Sequence, residues 1–198
     1  MERGQEAETE MEKIVYMIVL MLGVLIFSCC EANAQSWIPS GFDSYMENCS
    51  KVECEIENEL KKQGLSPEWM ALAIAESGCK QESESPAGAK GLWQLMPSTA
   101  RSLGLEVTEE SDERLDVQKS TRAAAVYIKH LLAMFNGNAL WALAGYNVGG
   151  RNLKKLANYP KNKDFETLRK LAPEAYNLAK TTAAIMEALN QTEEWKCR

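Results

Sequence analysis

SPEWMALAIAESGCKQESESPAGAKGLWQLMPSTA, residues 66–100, sets the terms on which the rest of the chain is read. Ser66 followed by Pro67 opens a helix, with proline in the first turn where its missing N–H costs nothing. WMALAIAE then carries an apolar helical run to Glu76. Gly78 starts a loop rich in Gly, Ser and Ala, with Pro86, Gly88 and Gly91 inside it, that ends at Trp93 and Gln94. Met96, Pro97 and Ser98 open a second, short helix that closes near Gly104.

The same helical period extends in both directions. Ser50 and Glu53 form a capping-box pattern opening a helix with Val52, Ile56 and Leu60 on one face. Residues 120–134 are amphipathic, with Ala124 and Ala125 allowing close packing. Asn138 caps ALWALAGY, residues 146–150 turn the chain, and Pro173 leads a last helix to about Asn190. No run of alternating β-branched residues interrupts them, so the expected fold is a compact all-α helical domain.

Residues 14–27, IVYMIVLMLGVLIF, are an uncharged run of 14, short for a membrane span and suited to the core of an export signal. Ala32 and Ala34 flank Asn33 in a small-x-small cleavage pattern. The acidic flank before the run suits a start at Met11 rather than Met1. Residues 1–34 are therefore read as a signal peptide, 35–49 as a lead-in and 50–198 as the functional domain, with an uncleaved membrane anchor as the alternative. The expected location is periplasmic or extracellular.

The chain carries a net charge of −6, which becomes −2 once residues 1–34 are removed. A near-neutral domain of this kind argues against nucleic acid as a partner. Four cysteines remain, Cys49, Cys54, Cys79 and Cys197, and three connectivities are open. With Ser50 as a helix cap, Cys49 and Cys54 occupy the two positions that meet in a hydrophobic staple. That reading pairs Cys49 with Cys54 and Cys79 with Cys197. The single histidine, His130, lies at helical spacing with Ala123, Val126, Tyr127 and Met134, which assigns it to packing. Neither a metal site nor a cofactor is expected from these residues.

Glu76 is the residue that calls for chemistry. It leaves a helix that must be largely buried, and burial raises a carboxyl pKa towards the range in which a general acid works. The glycine-rich loop that follows lets an extended ligand approach the backbone, and Ser85 and Gln94 offer neutral groups suited to sugar hydroxyls and amides.

The pattern ES-x7-S-x2-GA-x-GLWQLMP over residues 76–97 resembles the signature of the lytic murein transglycosylases of the soluble-transglycosylase and goose-type-lysozyme fold. ERLD and STRAAAVYI (113–128), ALAGYNVG (142–149) and APEAYNLAK (172–180) resemble further family segments in the expected order, closest to the membrane-bound D-type branch. The resemblance implies a lysozyme-like domain that cuts the MurNAc–GlcNAc β-1,4 bond of peptidoglycan. Glu76 would be the one catalytic acid and base, and Ser77 would sit behind it. Ser85, Gln94 and Met96 would line the glycan groove, Tyr146 would hydrogen-bond near Glu76, Asn147 would fix its turn and Glu174 would contact the substrate at the far wall. Partners would be glycan strands and, beyond them, cell-envelope assembly machinery, with the protein a monomer. The sequence departs from the family pattern at Gly145, in place of alanine, at Arg151, in place of a small residue, and at Cys79 and Lys80. Two alternatives remain open, a hydrolytic goose-type lysozyme and a catalytically silent peptidoglycan-binding scaffold.

Overall fold

The structure is a computed structural model that describes residues 39–158 and 165–191. The expected signal peptide and Cys197 lie outside the described residues. Among those residues the architecture is helical, with isolated β-bridges but no strand, and no helix is long and apolar enough to cross a membrane.

The helices in chain order are α1 (Phe42–Cys49), α2 (Glu53–Lys62), α3 (Met70–Ser77), α4 (Pro97–Ser102), α5 (Val117–Met134), α6 (Ala139–Val148), α7 (Gly150–Leu156), α8 (Phe165–Leu171) and α9 (Pro173–Gln191). A short 3₁₀ turn, Pro67–Trp69, leads into α3 and another, Glu113–Leu115, precedes α5. α6 forms the centre. Its residues from Trp141 to Tyr146 are all buried, as expected of a helix that is apolar on every side. α5, α7 and α9 pack around it, and α9 also packs on α3.

Gly145 is what lets α6 come so close. A Cβ there would stand 2.7 Å from Phe135 Cε2, so the departure from alanine makes room for the Phe135 ring. Asn138 caps α6 as the sequence suggests, its Oδ1 accepting from Trp141 N–H at 3.2 Å. The helix then runs on to Val148, so Tyr146 and Asn147 lie in its last turn rather than in a loop, and Gly149 (φ 83°) breaks it. α5 begins at Val117, three residues before the expected start, because the Asp116 carboxylate accepts from Lys119 N–H at 2.7 Å and caps it there.

The cysteine pairing differs from the expectation. Cys49 is bonded to Cys79, with their Cα atoms 5.0 Å apart, so neither Cys49–Cys54 nor Cys79–Cys197 forms. The cause is local. Ser50 does not cap α2; its hydroxyl donates to Glu47 O at 2.7 Å and the residue ends α1 instead. Val52 takes the N-cap position without any side-chain bond. Cys49 thus stays on the buried end of α1, facing the turn that follows α3. Cys54 is disulfide-bonded as well. Around the Cys49–Cys79 bridge, Asn48 Nδ2 donates to Gly78 O at 3.3 Å. The Tyr45 ring lies where a Cβ on Gly78 would come within 2.7 Å of it. α1, read as part of a lead-in, clamps the end of the helix that carries Glu76.

Candidate active site

α3 ends in an αL turn at Gly78 (φ 60°), one residue past Ser77. Ser77 Oγ lies 2.8 Å from Leu92 O and 3.1 Å from Ala73 O, tying the end of the helix to the loop behind it. That fixes Glu76 at the mouth of a cleft of about 430 Å³. Glu76, Ser85, Gln94, Met96, Tyr146 and Asn147 all line this cleft, although they are spread over 72 positions of the chain. Glu174 does not; it is exposed in the first turn of α9.

The cleft's inner wall is the loop between α3 and α4, which doubles back on itself through bridges of Glu84 with Lys90 and of Lys90 with Leu95. Ser85 accepts from Ala89 N–H at 3.0 Å, which leaves its hydroxyl proton available. Gln94 stands at positive φ (43°), and its Nε2 donates to Gly91 O at 2.9 Å and Ser83 O at 3.1 Å. Its amide nitrogen is thereby committed to the loop, so what it can offer a ligand is the carbonyl oxygen. Met96 is 40% exposed at the rim.

Arg114 holds the loop in place, a role with no sequence signal beyond its membership of the ERLD segment. It is 5% exposed. Nη1 donates to Gly88 O at 2.7 Å and Leu95 O at 3.0 Å, while Asp112 receives Nε and Nη2 at 2.8 and 2.7 Å. Gly91 is required at this junction because a Cβ would stand 2.1 Å from Arg114 O. Trp93, fully buried, donates from Nε1 to Thr121 Oγ1 at 3.0 Å.

Tyr146 OH donates to Trp93 O at 2.8 Å. Its proton is therefore spent on the backbone of the loop, and its contribution beside Glu76 is to hold Trp93 and Gln94 in position. Tyr127, not among the candidate residues read from the sequence, stacks obliquely on Tyr146 with centroids 5.2 Å apart and lines the same cleft. Burial, and then the neighbouring Glu76 carboxyl, hold the Tyr146 phenol well above its ordinary range.

Among the described residues, Glu76 is the one carboxyl that lines the cleft. Burial pushes it up to about 7, with neither a hydrogen bond nor a cation drawing it back down. Near neutrality such a group gives and takes a proton with equal ease. Asp112 and Asp116 are engaged with Arg114 and with the start of α5. His130, expected to pack, is exposed on the rim of a second cavity.

The model of the Transglycosylase SLT domain family matches residues 53–169. Membrane-bound lytic murein transglycosylase D of Escherichia coli K12 is 40% identical over 102 residues, covering 51% of this chain and 23% of that protein. Among solved structures, the inactive mutant of lytic transglycosylase Slt from Pseudomonas aeruginosa superimposes with a TM-score of 0.57 at 23% identity, over 73% of this chain and 25% of the other. The 70 kDa soluble lytic transglycosylase of Escherichia coli gives 0.57 at 21% identity, over 67% and 23%. The chain thus spans about a quarter of the length of these relatives, and the structural matches establish a shared fold.

Proposed function

This chain belongs to the Transglycosylase SLT domain family, and from that premise we propose that it is a peptidoglycan lytic transglycosylase with Glu76 as its single acid and base. The observation that carries the proposal is the cleft with one unpaired carboxyl held near pKa 7. Glu76 protonates the glycosidic oxygen as the bond from the muramoyl C1 to that oxygen breaks. The resulting carboxylate then takes the proton of the muramoyl 6-hydroxyl as that oxygen bonds to C1. Glu76 ends as it began, a 1,6-anhydro ring closes, and no water is consumed.

A hydrolase on this fold would need a second carboxylate to position water, as two-carboxylate glycosidases do, and among the described residues no other carboxylate lines this cleft. Ser85 through its hydroxyl and Gln94 through its carbonyl oxygen bind sugar hydroxyls and amides, while Met96 and Tyr127 give the ring faces an apolar contact. The Cys49–Cys79 bridge supports export to an oxidising compartment, where peptidoglycan lies, and residues 1–34 supply the signal. Mass spectrometry of a peptidoglycan digest tests the chemistry. The expected products are anhydro-muropeptides, lighter than hydrolytic ones by one water and inert to borohydride. Borohydride-reducible ends would make the protein a hydrolase, and intact peptidoglycan would make it a binding scaffold.

A further inference from the structure

The helix that carries Glu76 ends on two successive residues in the left-handed region, Gly78 (φ 60°) and Cys79 (φ 57°). Glycine takes that conformation freely. A residue with a Cβ is disfavoured there and persists only where its surroundings hold it. What holds Cys79 is α1. Tyr45, Asn48 and Cys49 stand at i, i+3 and i+4, on one face of that helix. The Tyr45 ring packs on Gly78, Asn48 Nδ2 donates to Gly78 O at 3.3 Å, and Cys49 is bonded to Cys79. The bridge is shut off from water, with both cysteines buried. α3 is the helix on which α1 packs most. α1 ends at Cys49, ahead of the residues 53–169 that match the family model, so this grip is an addition to the matched domain.

We propose that α1 is a positioning device for catalysis: through the Cys49–Cys79 bond it holds the last turn of α3, and with it the Glu76 carboxyl, fixed in the cleft. The proposal rests on the reading of Glu76 as acid and base. No residue of α1 lines the cleft, so its influence passes through α3. Within the matched domain, Ser77 Oγ ties that turn to Leu92 O at 2.8 Å. One hydrogen bond fixes a point and not an orientation; α1 adds a second anchor two residues further on. Without it Cys79 relaxes out of the left-handed region, the turn loosens and Glu76 takes up water. Two properties of the acid then change together. Its position relative to the glycosidic oxygen shifts, and a displacement of about 1 Å is enough to cost roughly 10²-fold in rate. Its burial falls as well, and burial alone, with no charged neighbour contributing, is what raises its pKa. The other titratable groups lining the cleft, Tyr127 and Tyr146, belong to α5 and α6 and are untouched by α1.

The test removes the anchor in the full chain by Cys49→Ala together with Cys79→Ala, which leaves the disulfide of Cys54 in place. Cleavage of peptidoglycan strands gives kcat and KM, and circular dichroism reports the fold. In the folded double variant kcat should fall roughly 10²-fold with KM almost unchanged. The carbon-13 midpoint of the Glu76 carboxyl should move from about 7 towards 4.5. Cys79→Gly in place of Cys79→Ala should recover part of the rate, because glycine keeps the left-handed turn unaided. A bridge that served stability alone would lower the melting temperature and leave kcat and the midpoint where they were, which overturns the proposal. A rise in KM that accounts for the whole loss overturns it too. If the double variant does not fold, Asn48→Ala, which keeps the disulfide, decides: a fall in kcat of roughly fivefold upholds the device, and an unchanged rate and midpoint refute it. A wild type that cuts nothing refutes the enzyme reading. The titration then still judges α1: a midpoint that moves in the variant upholds the anchor, and one that stays near 7 refutes it as well.

Discussion

Glu59 and Glu76 are both drawn out of water on this fold, and they meet opposite fates. Glu59, on α2, is 1% exposed, and its Oε1 accepts from Arg122 Nε at 2.9 Å and Gln63 Nε2 at 3.2 Å. Lys62 lies 3.4 Å from its other oxygen. The Arg122 hydrogen bond outweighs the effect of burial and holds its carboxyl below the usual range. Glu76, at the end of α3, has no such company, and burial alone sets it near 7. Burial pushes both carboxyls in the same direction; donors decide where each one ends. The region of α2 and α5 is built to keep a charge, and the end of α3 is built to let one come and go.

Replacing each glutamate by glutamine separates these two designs most sharply. Glu76→Gln keeps the shape but cannot donate and recover a proton, so glycan cleavage should fall by roughly 10²–10⁴-fold or more. Glu59→Gln should leave the chemistry intact and instead cost about 1–3 kcal/mol of stability, since it weakens a buried charge-assisted network. Denaturant melts across pH add the sign. The folded pKa of Glu76 is raised, so its contribution to stability is present below about 4.5 and lost as pH rises towards 7. The folded pKa of Glu59 is lowered, so its contribution is present above 4.5 and lost as pH falls. Glu76→Gln should therefore gain on the wild type at pH 8 relative to pH 5, by up to about 3 kcal/mol, and Glu59→Gln should flatten the acid limb. Equal rate losses in the two variants would erase the distinction.

A smaller effect should come from Tyr146→Phe. It removes the bond to Trp93 O but keeps the ring against Tyr127. An unsatisfied carbonyl and a looser loop should cost about 1–3 kcal/mol of stability, and the fall in kcat should stay well short of that in Glu76→Gln.

Which parts of this the sequence could disclose depended on how local the cause was. Pro67 and Asn138 announced their helices because an opening turn and a cap are settled within four residues. Ser50 misled because its competing bond is just as local: its capping pattern is genuine, but its hydroxyl donates back to Glu47 O and the residue ends α1 instead. The cleft brings Glu76, Ser85, Gln94, Met96, Tyr146 and Asn147 together as the ordered motifs implied, while Glu174 falls outside it. Arg114 was unreadable, because its bonds reach Gly88 and Leu95 across 26 and 19 positions and nothing in ERLD encodes them. His130 and Arg151 were equally opaque, since their shared cavity arises only when α7 packs on α5.

The claim on which the rest depends is that the Glu76 carboxyl keeps its proton near neutrality for want of a partner. Carbon-13 NMR titration of the glutamate side-chain carboxyls measures this directly, with the Glu76 resonance assigned by its loss in Glu76→Gln. A midpoint near 7 for Glu76, with Glu59 titrating below 4.5, is the predicted result. A Glu76 midpoint near 4.5, indistinguishable from an exposed glutamate, would contradict it.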